Sequence, residues 1–65
     1  MKAKADMSVR ILRECNTFLV GQVVEVRAVY SDDKLLVDAL GYDRIVEKYD
    51  TQPINGEGKL CNWSD

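Results

Sequence analysis

The sequence predicts an all-β domain, a small barrel of four to five antiparallel strands followed by a short C-terminal tail. Three observations carry that prediction. The run Val20 to Tyr30 is rich in valine, and its even positions Val24, Val26, Ala28 and Tyr30 alternate with Glu25 and Arg27. Leu35, Val37 and Ala39 form a second apolar row that skips Asp38. Between the two runs, Ser31-Asp32-Asp33-Lys34 has the chemistry of a loop built on a type I turn. The two runs therefore read as one long β-hairpin. A helix over residues 23–30 is disfavoured by four valines and by Gly21 just before them.

The pattern also selects a register. With Ser31 to Lys34 as a four-residue loop, Tyr30 falls opposite Leu35, Ala28 opposite Val37 and Val26 opposite Ala39. Both apolar rows then share one face, which a one-residue slip would destroy. On the other face Arg27 meets Asp38, an opposite-charge pair worth about 0.2–1 kcal/mol. Val29 meets Leu36 there and makes a small apolar spot.

The remaining elements follow in order. Residues 1–6 read as a frayed lead-in, and 7–55 as the barrel domain. Ser8 to Arg13 reads as a first strand with Val9 and Ile11 inward and Arg10 outward; Leu12 breaks its alternation. Glu14 to Phe18 is a polar loop, with Phe18 covering one end of the core. Gly21 supplies a backbone conformation that other residues resist. Gly41-Tyr42-Asp43 is a turn signal. Arg44 to Tyr49 is a fourth strand with two possible facings, Val46 alone inward or Ile45 with Tyr49. Asp50 to Pro53 reads as a tight turn, and Pro53-Ile54 as the start of a short last strand, where proline is tolerated at a start or an edge. Residues 56–65 form the tail, which carries Trp63.

Size and composition narrow the function. A chain of 65 residues is one domain, and it buries only about 60% of its unfolded surface, so its core is marginal. There is no histidine, and Cys15 and Cys61 lie far apart with no C-x-x-C, so no metal site is expected. The two cysteines read as reduced thiols ahead of a disulfide. Met1 to Asp6 has no apolar signal core, and no run nears the ~20 apolar residues of a membrane span. A cytoplasmic protein without membrane contact is expected. The net charge of −2 argues against a general nucleic-acid binder.

Catalytic chemistry is not expected either. Histidine, the commonest general acid–base, is missing, and Ser8, Ser31 and Ser64 lack a G-x-S-x-G setting. Neither cysteine has a histidine to activate it. Gly56-Glu57-Gly58 is a lone G-x-G outside any βα unit. The sequence therefore offers no catalytic residue, no cofactor-binding residue and no cofactor. Binding is what remains. Aromatic and arginine side chains are the usual anchors of interfaces, and Tyr42, Arg44 and Trp63, with the apolar spot at Val29 and Leu36, are the candidate partner-binding residues. The competing reading has Tyr30 and Tyr49 in the core and Trp63 packed back over a barrel end. Arg10, Arg13 and Arg27 form either a small basic patch or a solvated face.

The layout also carries a resemblance. Phe18-Leu19-Val20-Gly21-Gln22-Val23-Val24-Glu25-Val26 precedes an acidic turn, then Leu35-Leu36-Val37-Asp38 and a closing Tyr49-Asp50-Thr51-Gln52-Pro53-Ile54. Over residues 8–54 this resembles the SH3-like barrels of small phage and bacterial proteins, many of which carry a Val-Gly-x-Val-Tyr-Glu-Val segment before an acidic turn. Val20 to Val26 is similar to KOW-type ribosomal and transcription-factor barrels as well. Those place a basic, glycine-rich loop where this chain has Ser31-Asp32-Asp33. The resemblance implies an SH3-like barrel from a phage or mobile element that binds a host protein and modulates or inhibits it. A nucleic-acid-associated barrel using Arg10, Arg13, Arg27 and Tyr42 is the second reading. An oligomeric binder of a small ligand such as a nucleotide is the third.

Overall fold

The expected hairpin forms, and it sits in the middle of a single sheet. The computed structural model describes residues 1–15 and 17–64, with Ala39 described by its backbone alone. Five strands follow one another, β1 (Ser8–Ile11), β2 (Val23–Ser31), β3 (Lys34–Ala39), β4 (Tyr42–Glu47) and β5 (Thr51–Ile54), with a single 3-10 turn at Lys48–Asp50 before β5. Their order across the sheet is β4-β3-β2-β1-β5, and every neighbouring pair is antiparallel. The all-β class is as expected. Val9 and Ile11 of β1, Val24 and Val26 of β2, Leu35 and Val37 of β3 and Val46 of β4 form one buried cluster with Met7 and Phe18. One sheet can surround one core in this way only by curling on itself into a small barrel-like fold.

The device that curls it corrects the expected register. Ser31 pairs with Lys34, as a hairpin pivoting between residues 32 and 33 requires. The ladder then slips by one residue twice, so that Val29 faces Leu35, Ala28 faces Leu36 and Val26 faces Val37. Each slip leaves an extra residue on β2, first Tyr30 and then Arg27. These are β-bulges, which bend the bulged strand and raise its twist. They also reverse the facing of its upper half: Val24 and Val26 are buried as expected, but Ala28 and Tyr30 are exposed, Tyr30 by 64%. Asp32 and Asp33 alone make the turn, and neither has a positive φ. The turn is therefore not one of the primed types that match strand twist directly, and the bulges beside it supply that twist.

At the other end of β3 the turn lies one residue earlier than expected. Ala39 pairs with Tyr42, and Leu40 and Gly41 between them have φ of 58° and 85°. Two positive values make this a type I′ hairpin turn, a geometry suited to Asn-Gly or Gly-Gly. Of the two facings open for the fourth strand, Val46 alone is buried. Tyr49 is exposed and sits in the 3-10 turn, not in a strand. Pro53 is the third residue of β5, fully buried opposite Val9 in the sheet's last strand.

The N-terminal end differs from expectation, and both ends are tied to the sheet. The lead-in is not frayed: the Asp6 amide donates to the Val26 carbonyl at 2.8 Å, and Met1 and Ala3 are half-buried against the core. The tail is not loose either. Ile54 and Leu60 form a β-bridge, the Cys61 amide donates to the Pro53 carbonyl at 2.8 Å, and the Ser64 amide donates to the Met1 carbonyl at 2.9 Å. The returning tail covers the open edge of β5, an edge that would otherwise invite strand pairing. Both cysteines are free thiols.

Candidate partner-binding site

The five residues singled out from the sequence do not form one surface. Tyr42 and Arg44 do come together. They are two apart on β4 and share a face, and the Arg44 guanidinium stacks 5.5 Å from the centre of the Tyr42 ring. Tyr42 is 65% exposed. Val29 and Leu36 separate, because the bulge at Tyr30 puts Val29 opposite buried Leu35 while Leu36 stays on the outer face. The expected Val29–Leu36 spot is replaced by a row of Ala28, Leu36 and Ile45 across β2, β3 and β4.

Charges close off both ends of that row. Arg27, the bulged residue, donates to Asp38 Oδ2 at 2.6 Å and lies 3.9 Å from Asp43. Its pairing with Asp38 was expected, although Glu25 holds the position directly opposite. Asp38 is the strongest influence on Arg27, raising its pKa by hydrogen bond and charge. At the other end Lys34 donates to Glu47 at 2.8 Å, and that bond raises its pKa. Ser31 Oγ donates to Asp33 at 2.9 Å and, with Lys34 nearby, holds the Asp33 carboxyl below its ordinary value. The basic patch loses two members to such pairs, since Arg13 lies 3.4 Å from Asp50.

Trp63 is packed back over the barrel end. Its indole Nε1 donates to the carbonyls of Lys48 and Thr51, both at 3.0 Å. The Lys48 carbonyl also accepts the Thr51 hydroxyl at 2.6 Å and the Thr51 amide, so the tail is tied to the 3-10 turn. The indole is thus a structural clamp with one half-buried face.

One residue that sequence reasoning missed is Leu40. It occupies the first central position of the type I′ turn, it is 94% exposed, and its φ is +58°. Left-handed backbone costs an ordinary L-residue about 1–2 kcal/mol, and Asn or Gly escape most of it. Its exposure means that packing returns almost nothing. The adjacent Gly41, with φ +85° and no atom near a would-be Cβ, takes its conformation without cost. Leu40, Tyr42 and Arg44 project from one hairpin end as an aliphatic, an aromatic and a cation. A dipeptide Leu-Gly between two apolar runs was the available signal; Asn-Gly would have been easier to read.

Among the described residues, no group of three or more His, Cys, Asp or Glu is arranged to hold a metal ion. No helix among them is long and apolar enough to cross a membrane. Compared with protein-family models, curated proteins and solved structures, the chain has no match.

Proposed function

We propose that this chain is a small non-enzymatic binding module that engages another protein through the β3–β4 turn, with Leu40, Tyr42 and Arg44 as the contact residues. The observation that carries this reading is the cost of Leu40. Asp6, Thr17 and Leu40 are the non-glycine residues with positive φ among those described, and of these Leu40 alone sets a large apolar side chain in water; backbone strain of this kind clusters at functional sites. Tyrosine and arginine beside it are the residue types that dominate interface energies. The resemblance to small phage and bacterial SH3-like barrels supports a host protein as the target and modulation or inhibition as the outcome, in the cytoplasm of the host cell. The ion pairs of Arg13 and Arg27 and the acidic turn at Asp32 and Asp33 favour this over a nucleic-acid-binding barrel.

A photo-crosslinking amino acid at Leu40, compared with the same group at exposed Gly56, tests it in host lysate. A product specific to position 40, competed by unlabelled wild-type chain but not by a Leu40→Asn, Tyr42→Ala chain, is expected. Equal labelling from both positions overturns the assignment of the surface. Tight, salt-steep binding to nucleic acid overturns the class of partner.

A further inference from the structure

At the far end of β3 from Leu40, the barrel holds a second unexplained feature. Lys48 is only 9% exposed. Its ammonium lies 5.4 Å from the centre of the Tyr49 ring and 5.3 Å from that of Trp63. No carboxylate among the described residues comes within 4.0 Å of it. The buried part of Lys48 is thus its aliphatic stem, while its ammonium sits between two aromatic faces, which attract a cation but supply no counter-charge. The backbone around it is fixed: the Lys48 amide donates to the Asp33 carbonyl at 2.7 Å, and its carbonyl takes the Trp63 indole.

Lys48 borders an open cleft of about 370 Å³, together with Lys2, Ala3, Val29, Asp32, Tyr49 and Ser64. The lining thus combines two lysines and Ser64, whose Oγ accepts from the Met1 ammonium at 2.9 Å, with Ala3, Val29 and Tyr49 and a single acidic residue, Asp32. We infer that this cleft binds a small organic anion, a carboxylate or phosphate monoester, whose charge pairs with Lys48 and whose apolar body rests on Val29 and Tyr49. Asp32 sets a limit on the ligand's charge, since a polyanion would meet its carboxylate. This site is separate from the β3–β4 turn, and neither reading depends on the other.

The chain contains a single tryptophan, so its indole N–H gives one identifiable NMR signal beside Lys48. Isotope-labelled full chain is titrated with benzoate, phenyl phosphate and neutral benzyl alcohol. Saturable shifts at the Trp63 indole and the Val29 and Tyr49 amides are expected with at least one of the two anions. Benzyl alcohol should bind about tenfold more weakly or worse, because it cannot form the charge-assisted bond. Benzoate against phenyl phosphate separates a carboxylate from a phosphate site. Lys48→Met should lose the anion preference, and Lys48→Arg should keep it. Equal binding of benzyl alcohol in the wild-type chain overturns the inference even if Lys48→Met fails to fold. Linear, unsaturating shifts with both anions, or undiminished anion binding by folded Lys48→Met, overturn it as well.

Discussion

Replacing Leu40 by Asn should make this protein more stable. Left-handed backbone costs leucine about 1–2 kcal/mol, while asparagine tolerates it through its short polar side chain. The opposing term is small. Full burial of a leucine is worth roughly 1.5–3 kcal/mol, and Leu40 is 94% exposed, so about a twentieth of that is at stake. The net expectation is a gain of about 1 kcal/mol, which in a domain of this size raises the melting midpoint by roughly 4–8 °C. Urea unfolding checks it: the midpoint should rise with an unchanged slope, since the surface exposed on unfolding stays the same. Leu40→Gly should gain less, because glycine adds entropy to the unfolded chain. A fall in stability with Leu40→Asn would refute the reasoning. It would mean that Leu40 makes a contact in the isolated chain, and the case for it as an exposed anchor would fail.

Three further outcomes follow from the packing. Val26 and Val37 are fully buried and face each other across β2 and β3, so truncating either to Ala should cost about 1–3 kcal/mol in denaturant unfolding; a loss under ~0.5 kcal/mol would show the position is not core. Tyr30 is a bulged, exposed residue, and Tyr30→Ser should stay within about 0.5 kcal/mol of wild type; a core-sized loss would return it to the register first read from the sequence. Burial first, and the charge of Asp50 second, raise the Cys15 thiol above its ordinary 9.0. A raised pKa favours the protonated folded state. The contribution of Cys15 to stability is therefore complete below the unfolded thiol pKa and is lost as pH rises through the folded one. In the native chain Cys15 should accordingly react slowly with a thiol reagent near pH 8, and both thiols should react fully once unfolded without reductant. A Cys15 that labels in the native state as fast as in the unfolded state would refute its burial.

The fold class was legible because it depends on alternation, and alternation survives in Val24, Val26, Leu35 and Val37. The register was not, because a bulge leaves no compositional mark. Ala28, Val29 and Tyr30 read the same whether they continue the pleat or break it, yet only the second arrangement turns Tyr30 outward and bends one sheet around one core. The Arg27–Asp38 pair was legible for the opposite reason. A long side chain reaches a charge two residues off register, so the prediction held while the geometry behind it did not. Trp63 was left open between interface and packing because a tail's path cannot be read from its residues. The indole bonds to Lys48 and Thr51 depend on that path. Leu40 and Lys48 were missed together. Each is an ordinary residue whose significance lies in a backbone angle or in a cation set between two rings, and both exist only after folding.

The two binding readings should prove energetically independent. Leu40 lies just beyond the last residue of β3. Lys48 is bonded to Asp33, just before the first. Five steps of about 3.4 Å put the two ends of β3 roughly 17 Å apart. Coupling between substitutions usually fades beyond about 7–10 Å when no partner is shared, and the rings beside Lys48 are Tyr49 and Trp63, far from the turn that holds Leu40. Leu40→Asn should therefore leave the affinity for benzoate or phenyl phosphate unchanged. Lys48→Arg should leave crosslinking from the turn unchanged. The stability change of the double variant should equal the sum of the single ones within about 0.5 kcal/mol. A departure larger than that would require a connection along β3, through Leu36 and Asp38 on the outer face or Leu35 and Val37 on the inner. The tightly packed inner pair would be the first place to look, because Val37 lies opposite Arg44 of the turn site and Leu35 lies opposite Val29 of the cleft.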